Sequence, residues 1–343
     1  MSKNKLNFLG TCFVIALILL ISSCSDSKSS KQQKAQTEKT TDETIDQNNE
    51  TLQKNKLPAN AWKAPDERTI PADEQGEMIR YGKELIVNTS AYLGPKGKAG
   101  VFANGLNCQN CHLDAGTKIY GNNYAAVMSS YPKVTARSGK TTSPIARIKG
   151  CFERSLNGRM PDSTSKEIKA MVAYMTWLNQ GVENPEEMFG RGTEKISFLD
   201  RPADPKKGAQ LYAIKCRSCH GENGEGTPYP DGKTFFYPPL WGELSYNDGA
   251  GMYRLSNFAG FIKNNMPFGA SYENPQLTDE ESWDIAAFVD SQTRPHKDPT
   301  GDYPDLNKKP VDAPYGPYGD SFSEVEHKFG PFQPIKDAHK TKS

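Results

Sequence analysis

The sequence has no excess of either charge, with 42 Lys and Arg against 41 Asp and Glu in 343 residues. This balance creates no global field that would draw nucleic acid to the protein, so we expect no nucleic-acid partner. Hydrophobic residues are also scarce, at 36% of the chain with a mean hydropathy of −0.71. The composition therefore excludes a polytopic membrane protein. Only five histidines are present, so few side chains can serve as imidazole ligands.

The longest apolar run lies near the N-terminus and covers the 14 residues Phe8–Ile21, interrupted by Gly10 and Thr11. It is too short to span a bilayer comfortably and predicts a signal peptide over residues 1–24. Its end resembles a bacterial lipoprotein cleavage box, which would make Cys24 the lipidated residue. Plain cleavage near Ser23 is the alternative. We expect a periplasmic protein, anchored by lipid to a bacterial membrane, in particular the outer membrane.

Two C-x-x-C-H motifs are the strongest chemical signal in the sequence. They place Cys108, Cys111 and His112 in the first motif, and Cys216, Cys219 and His220 in the second. Two thiols at this spacing match the two vinyl groups of haem, and the following imidazole becomes the proximal iron ligand. A zinc site shared by the two motifs, a redox dithiol and structural disulfides are the alternatives. We predict two covalently bound haem c groups.

The surroundings of the two motifs repeat. Helical spacing of apolar residues precedes each motif, over residues 74–88 and 204–215. Capping boxes at Thr164–Glu167 and Thr278–Glu281 predict a closing helix after each motif, with irregular loops between. This order predicts an all-α fold of two class I cytochrome c-type domains in tandem, each enclosing one haem. The predicted boundaries are a disordered tether 25–58, a first domain 59–195, a second domain 196–294 and an irregular extension 295–343.

A methionine followed by proline recurs after each motif and is typical of the distal loop of cytochrome c. Met160 follows His112 by 48 residues, and Met266 follows His220 by 46. A thioether ligand favours ferrous iron and raises the reduction potential. We predict His220 and Met266 as the ligands of the second haem iron. In the first domain, Met160 is one of two candidate ligands for the haem iron.

The second candidate is Cys151, the one cysteine left once Cys12 is removed with the signal peptide, Cys24 is lipidated and four cysteines attach haem. Its neighbourhood is basic, because residues 137–160 contain six Lys or Arg and one acidic residue, Glu153. A thiol in such surroundings should have a depressed pKa, and the segment should attract anions. The alternatives are an inert buried cysteine and a solvated basic face.

The segment Arg147–Gly158 (RIKGCFERSLNG), together with His112–Gly116 (HLDAG), resembles the thiosulfate dehydrogenases, dihaem cytochromes c that are also described as tetrathionate reductases. The tail at 309–322 (KPVDAPYGPYGDSF) extends the resemblance. It implies His112 and Cys151 as the axial ligands of a catalytic haem. It also implies that Arg137, Arg147 and Ser155 hold a small sulphur oxyanion. Some members carry lysine directly before the distal methionine, whereas Asn265 stands there in this chain.

Two other classes of protein remain open from the sequence. A non-catalytic dihaem electron-transfer cytochrome c would have Met160 as a ligand and an idle Cys151. A dihaem peroxidase would need acid–base residues near haem, but the remaining histidines all lie in or after the C-terminal extension, at His296, His327 and His339. The function predicted is the interconversion of thiosulfate and tetrathionate, with an external electron acceptor or donor such as another cytochrome. We assign no chemistry to the extension.

Overall fold

The structure is a computed structural model that describes residues 55–232 and 234–340. The predicted signal peptide, Cys24 and most of the predicted tether therefore lie outside the described residues. Within the described residues, regular structure is mainly helical, with two small antiparallel strand pairs. The all-α expectation agrees with this content. No helix in the described part of the chain combines the length and apolar character needed to cross a bilayer.

The elements are numbered here in chain order. The α-helices are α1 (Glu74–Val87), α2 (Thr89–Leu93), α3 (Leu113–Gly116), α4 (Val127–Ser130), α5 (Pro144–Arg154), α6 (Lys166–Leu178), α7 (Pro205–Lys215), α8 (Arg217–His220), α9 (Leu255–Asn265), α10 (Asp279–Ser291), α11 (Glu324–Phe329) and α12 (Phe332–Lys340). The strands are β1 (Lys133–Val134), β2 (Thr141–Thr142), β3 (Thr227–Pro228) and β4 (Phe235–Tyr237), paired as β1 with β2 and β3 with β4.

Two helix pairs form the frame around the C-x-x-C-H motifs. Helix α1 packs against α6, and α7 packs against α10. Each pair meets at a glycine. A Cβ on Gly82 would lie 2.0 Å from the carbonyl oxygen of Ala170, and one on Gly208 would lie 1.9 Å from that of Asp284. The two helices of each pair therefore lie so close together that no side chain fits at the crossing.

Side-chain caps fix where the long helices begin. Asp73 caps α1 by accepting from the Gly76 amide, which satisfies a free N–H of the first turn. The capping box predicted at Thr278–Glu281 is confirmed at the start of α10. The box predicted at Thr164–Glu167 is wrong, because the N-cap of α6 is the next residue, Ser165.

The segments predicted as irregular loops contain helices. Helix α5 carries Arg147 and Cys151, and α9 ends directly before Met266. The start of α5 is specified locally, since the Ser143 hydroxyl accepts from the Ala146 amide and Pro144 is the first helical residue. The chain therefore presents Cys151 from a rigid helix.

Two hydrophobic cores lie along the chain. The first core contains buried side chains between Ile70 and Leu178, which we call the first half of the described chain. The second core contains buried side chains between Ile196 and Ile335, which we call the second half. Phe332 and Ile335 of α12 are 3% and 0% exposed and belong to the second core. The prediction of an irregular extension over 295–343 is therefore wrong in part, because this segment contains α11 and α12 and contributes to the packing of the second half.

Candidate functional site

A cavity of about 200 Å³ lies within the first half and borders the first C-x-x-C-H motif. Cys108, Cys111 and His112 line it, together with Cys151 and Ser155. Helix α5 supplies Cys151, whereas residues 104–107 form a loop that leads directly into the motif. The structure therefore brings the predicted attachment residues together with the cysteine predicted as a ligand.

The orientation of each histidine leaves one ring nitrogen for a metal. His112 Nδ1 lies 2.5 Å from the carbonyl oxygen of Asn122, and Tyr124 stacks on the ring at 4.3 Å. His220 Nδ1 lies 2.9 Å from the carbonyl oxygen of Pro238. Because Nδ1 is used as a donor to a backbone carbonyl, Nε2 is the nitrogen available to iron.

A second cavity of about 660 Å³ surrounds the second motif. Cys216, Cys219, His220 and Met266 line it, and most of the remaining wall is apolar. This volume lies within the range of about 300–1,000 Å³ that is usual for cofactor sites. The donor set of each cavity, two thiols and an oriented imidazole, fits covalently attached haem. The first cavity, at about 200 Å³, is smaller than the second.

Cys151 has a different electrostatic environment from the attachment cysteines. Burial would raise its pKa, but Arg147, which donates from Nη1 to Sγ at 3.3 Å, and His112 outweigh that effect and lower the pKa to about 7. Burial raises the pKa of Cys108 and Cys111 to about 12. The first cavity thus combines two neutral thiols with one that ionises readily.

The structure separates the two ligands considered for the first iron. Cys151 lines the first cavity, whereas Met160 is half-buried against the first core and does not border the cavity. Arg147 and Ser155 border the same cavity as Cys151. Cys151, Arg147 and Ser155 therefore border one cavity. They are three of the four residues that the family resemblance implies for substrate binding and catalysis.

Arg137 is the residue that the structure does not bring to the cavity wall. Its Nη1 atom donates to Asp302 at 2.9 Å, to the Tyr315 hydroxyl at 3.0 Å and to the carbonyl oxygen of Gly249 at 3.1 Å. These contacts hold the guanidinium in an ion pair outside the lining residues. Its role as a substrate clamp stays a prediction.

Several polar residues of the first cavity were not predicted from the sequence, among them Tyr131 and Arg191. Arg191 is anchored by Glu186 at 2.8 Å and by the Ser130 hydroxyl at 3.1 Å. It comes from the segment that joins the two halves and has no motif around it. No local signal in the sequence marks it as a cavity residue.

The two cavities share part of one wall. Leu106, Asn110 and Cys111 line both of them. Asn122 adds a polar link, because its carbonyl oxygen accepts from His112 and its amide nitrogen lies 3.6 Å from Met252 Sδ on the second cavity. Groups bound in the two cavities would therefore be close neighbours.

Two of the alternative uses of the cysteines, structural disulfides and a shared zinc site, are not seen in the described residues. The five cysteines there form no disulfide. Within residues 55–232 and 234–340, His, Cys, Asp and Glu side chains form no group of three or more that could hold a metal ion. The two C-x-x-C pairs therefore do not meet in a shared zinc site.

Covalent-haem motifs, oriented histidines and paired helices define the class of protein as a c-type cytochrome. The family model for cytochrome c matches residues 205–293. Thiosulfate dehydrogenase of Stutzerimonas stutzeri is 36% identical over 68% of this chain and 73% of its own length. That of Psychrobacter arcticus is 40% identical over 71% of this chain and 73% of its own length. The chain belongs to the thiosulfate dehydrogenase family.

A solved structure agrees with this assignment. The thiosulfate dehydrogenase TsdBA from Marichromatium purpuratum in its as-isolated form superposes with a TM-score of 0.64 at 33% identity. The match covers 69% of this chain and 50% of the solved chain. This chain therefore spans about half the length of that relative.

Proposed function

We propose that this protein interconverts thiosulfate and tetrathionate in the first cavity, with the reaction 2 S₂O₃²⁻ → S₄O₆²⁻ + 2 e⁻ and its reverse. The observation that carries the proposal is the contact between Arg147 and Cys151 in a cavity that also contains the first C-x-x-C-H motif. The curated relatives named thiosulfate dehydrogenase support the choice of substrate.

The proposal includes two haem c groups in two tandem cytochrome c-type modules. Residues 59–195 would form the catalytic module and residues 196–294 the electron-transfer module. The matching helix crossings at Gly82 and Gly208 support this division. His112 and Cys151 would ligate the first iron, and His220 and Met266 the second. Bound haem supplies the one-electron redox chemistry that amino-acid side chains lack.

Charge neutralisation is the first task of the protein, because two thiosulfate dianions repel each other. Arg147 provides a guanidinium beside Cys151, and guanidinium pairs bidentately with oxyanion oxygens. The Ser155 hydroxyl, which borders the same cavity, would donate one further hydrogen bond. Arg137 would join them only after leaving its ion pair with Asp302.

The Cys151 thiolate would then act as a nucleophilic centre. Its sulphur and the sulfane sulphur of the first thiosulfate would form an S–S bond, with the release of two electrons. The second thiosulfate would attack that sulfane sulphur, which forms tetrathionate and returns the thiolate. The two steps balance to two thiosulfates consumed, one tetrathionate formed and two electrons released.

The electrons would leave through the second module to an external acceptor such as another cytochrome. The shared wall at Leu106, Asn110 and Cys111 supports this route, because the same three residues border both cavities. As part of the same proposal, the protein is exported to the periplasm and anchored by lipid at Cys24. That part draws on residues 1–24 alone.

Substitution of Cys151 tests the proposal. We expect Cys151→Gly to lose turnover with both thiosulfate and tetrathionate, to retain two haems, and to lose the thiolate signature in the EPR spectrum of the oxidised protein. Met160→Leu is the control, because Met160 lies off the cavity wall. Equal activity in wild type and Cys151→Gly would reject catalysis at this thiol and favour a purely electron-transferring cytochrome.

A further inference from the structure

A carboxylate of the C-terminal extension lies between two arginines of the first half. Asp302 Oδ1 accepts from Arg154 Nη2 at 2.8 Å, and Asp302 Oδ2 accepts from Arg137 Nη1 at 2.9 Å. The Tyr315 hydroxyl donates to Oδ2 at 2.8 Å. Only 9% of the Asp302 side chain is exposed, so this ion-pair network is largely shielded from water and salt.

The second half of the chain joins the same network through Gly249. Its carbonyl oxygen accepts from Arg137 at 3.1 Å and from Arg154 at 3.4 Å. A Cβ at this position would lie 2.6 Å from Arg154 Nη1. We call Arg137, Arg154, Gly249, Asp302 and Tyr315 the Asp302 cluster. It joins the extension to both halves at one point.

The cluster holds the end of the helix that carries Cys151. Arg154 is the last residue of α5 and follows Cys151 by less than one helical turn. The backbone is held there as well, because the Asn247 amide donates to the Arg154 carbonyl at 3.1 Å and the Asn247 side chain donates to the Glu153 carbonyl at 2.9 Å. Since a short helix moves as a rigid body, these contacts set the direction in which Cys151 points.

We propose that Asp302 is a positioning residue for Cys151, and this inference rests on the proposed function of the first cavity. Asp302 neutralises part of the charge on Arg137 and Arg154 and thereby keeps α5 in one orientation. Without the carboxylate, the two partly buried guanidiniums repel each other and the end of α5 is held only by its contacts with Asn247 and Gly249. Arg147 and Cys151 then move together with α5, and Cys151 departs from the geometry that allows it to meet the first iron.

The test is Asp302→Asn, which keeps the shape of the side chain and removes its charge. We expect the EPR spectrum of the oxidised, substrate-free protein to show a second ligation state at the first haem. We also expect kcat with thiosulfate to fall on the order of tenfold to a hundredfold. Asp302→Glu should restore part of both. Asp305→Asn is the matched control, since Asp305 is an exposed neighbour that pairs with Lys308 at 3.2 Å.

A wild-type EPR spectrum together with wild-type kcat in Asp302→Asn would overturn the proposal. If that variant does not fold, Tyr315→Phe removes one hydrogen bond to Asp302 and should produce a weaker form of the same spectral change. The spectrum requires no substrate, so it tests the positioning role even if wild type fails to convert thiosulfate. A normal spectrum with lost turnover in Asp302→Asn would likewise contradict positioning of Cys151.

Discussion

Arg147→Gln is the substitution that most directly tests anion binding in the first cavity. The Arg147 guanidinium lies 3.3 Å from Cys151 Sγ, so a sulphur oxyanion that reaches the thiol also reaches this charge. A hydrogen bond to a charged group contributes about 1.5–3 kcal/mol. At about 1.4 kcal/mol per factor of ten, its loss should lower kcat/KM for thiosulfate about 10- to 150-fold. We expect the change mainly in KM, with both haems retained.

The control for net charge is Arg159→Gln. Arg159 lies in the same basic segment but is exposed, packs over the Phe102 ring at 5.1 Å and does not border the cavity. Steady-state rates with thiosulfate and an artificial one-electron acceptor would compare the two variants. Equal losses would show that only the long-range field of the segment matters. Unchanged kinetics in Arg147→Gln would refute the clamp itself.

The other predictions concern the second half, pH and the helix frame. Met266→Leu should retain the second haem but lower the reduction potential of that haem, because a thioether ligand favours ferrous iron. A redox titration measures this potential. Burial raises the pKa of the Asp290 carboxyl from 3.8 to about 7, against the opposing charge of Arg294. Its contribution to the free energy of unfolding is therefore present below about pH 4 and is lost as the pH rises to about 7. The melting temperature of Asp290→Asn should therefore vary less with pH between about pH 4 and pH 7 than that of wild type. The same pH dependence in both proteins would contradict the burial argument. Gly82→Ala should lower the melting temperature by overpacking against Ala170, and an unchanged melt would contradict so close a crossing.

The sequence predicts well those features that are specified by neighbouring residues. The C-x-x-C-H spacing brings each histidine and its two thiols to one cavity because all three lie within five residues. Helix α1 was predicted over 74–88 and is observed as Glu74–Val87, because apolar periodicity and the cap at Asp73 agree. The start of α5 is also specified locally, by a serine N-cap at Ser143 followed by proline at the first helical position.

Features specified by distant residues could not be predicted in the same way. The ion pair that holds Arg137 joins residues 165 positions apart. Its partner lies in an extension whose composition suggested no chemistry. Arg191 likewise reaches the first cavity only because of how the joining segment folds back along the first half. Long-range pairing depends on the tertiary fold, which one sequence without its structure does not define.

The contacts at Gly82 and Gly208 bear on which substitutions each helix pair tolerates. At both crossings a carbonyl oxygen of the facing helix lies about where a Cβ would be, so only glycine fits there without movement of the backbone. A larger residue at either position would push the paired helices apart and widen the space around the C-x-x-C-H motif that the pair frames. Two missing side chains thus set the spacing of the frame at both motifs.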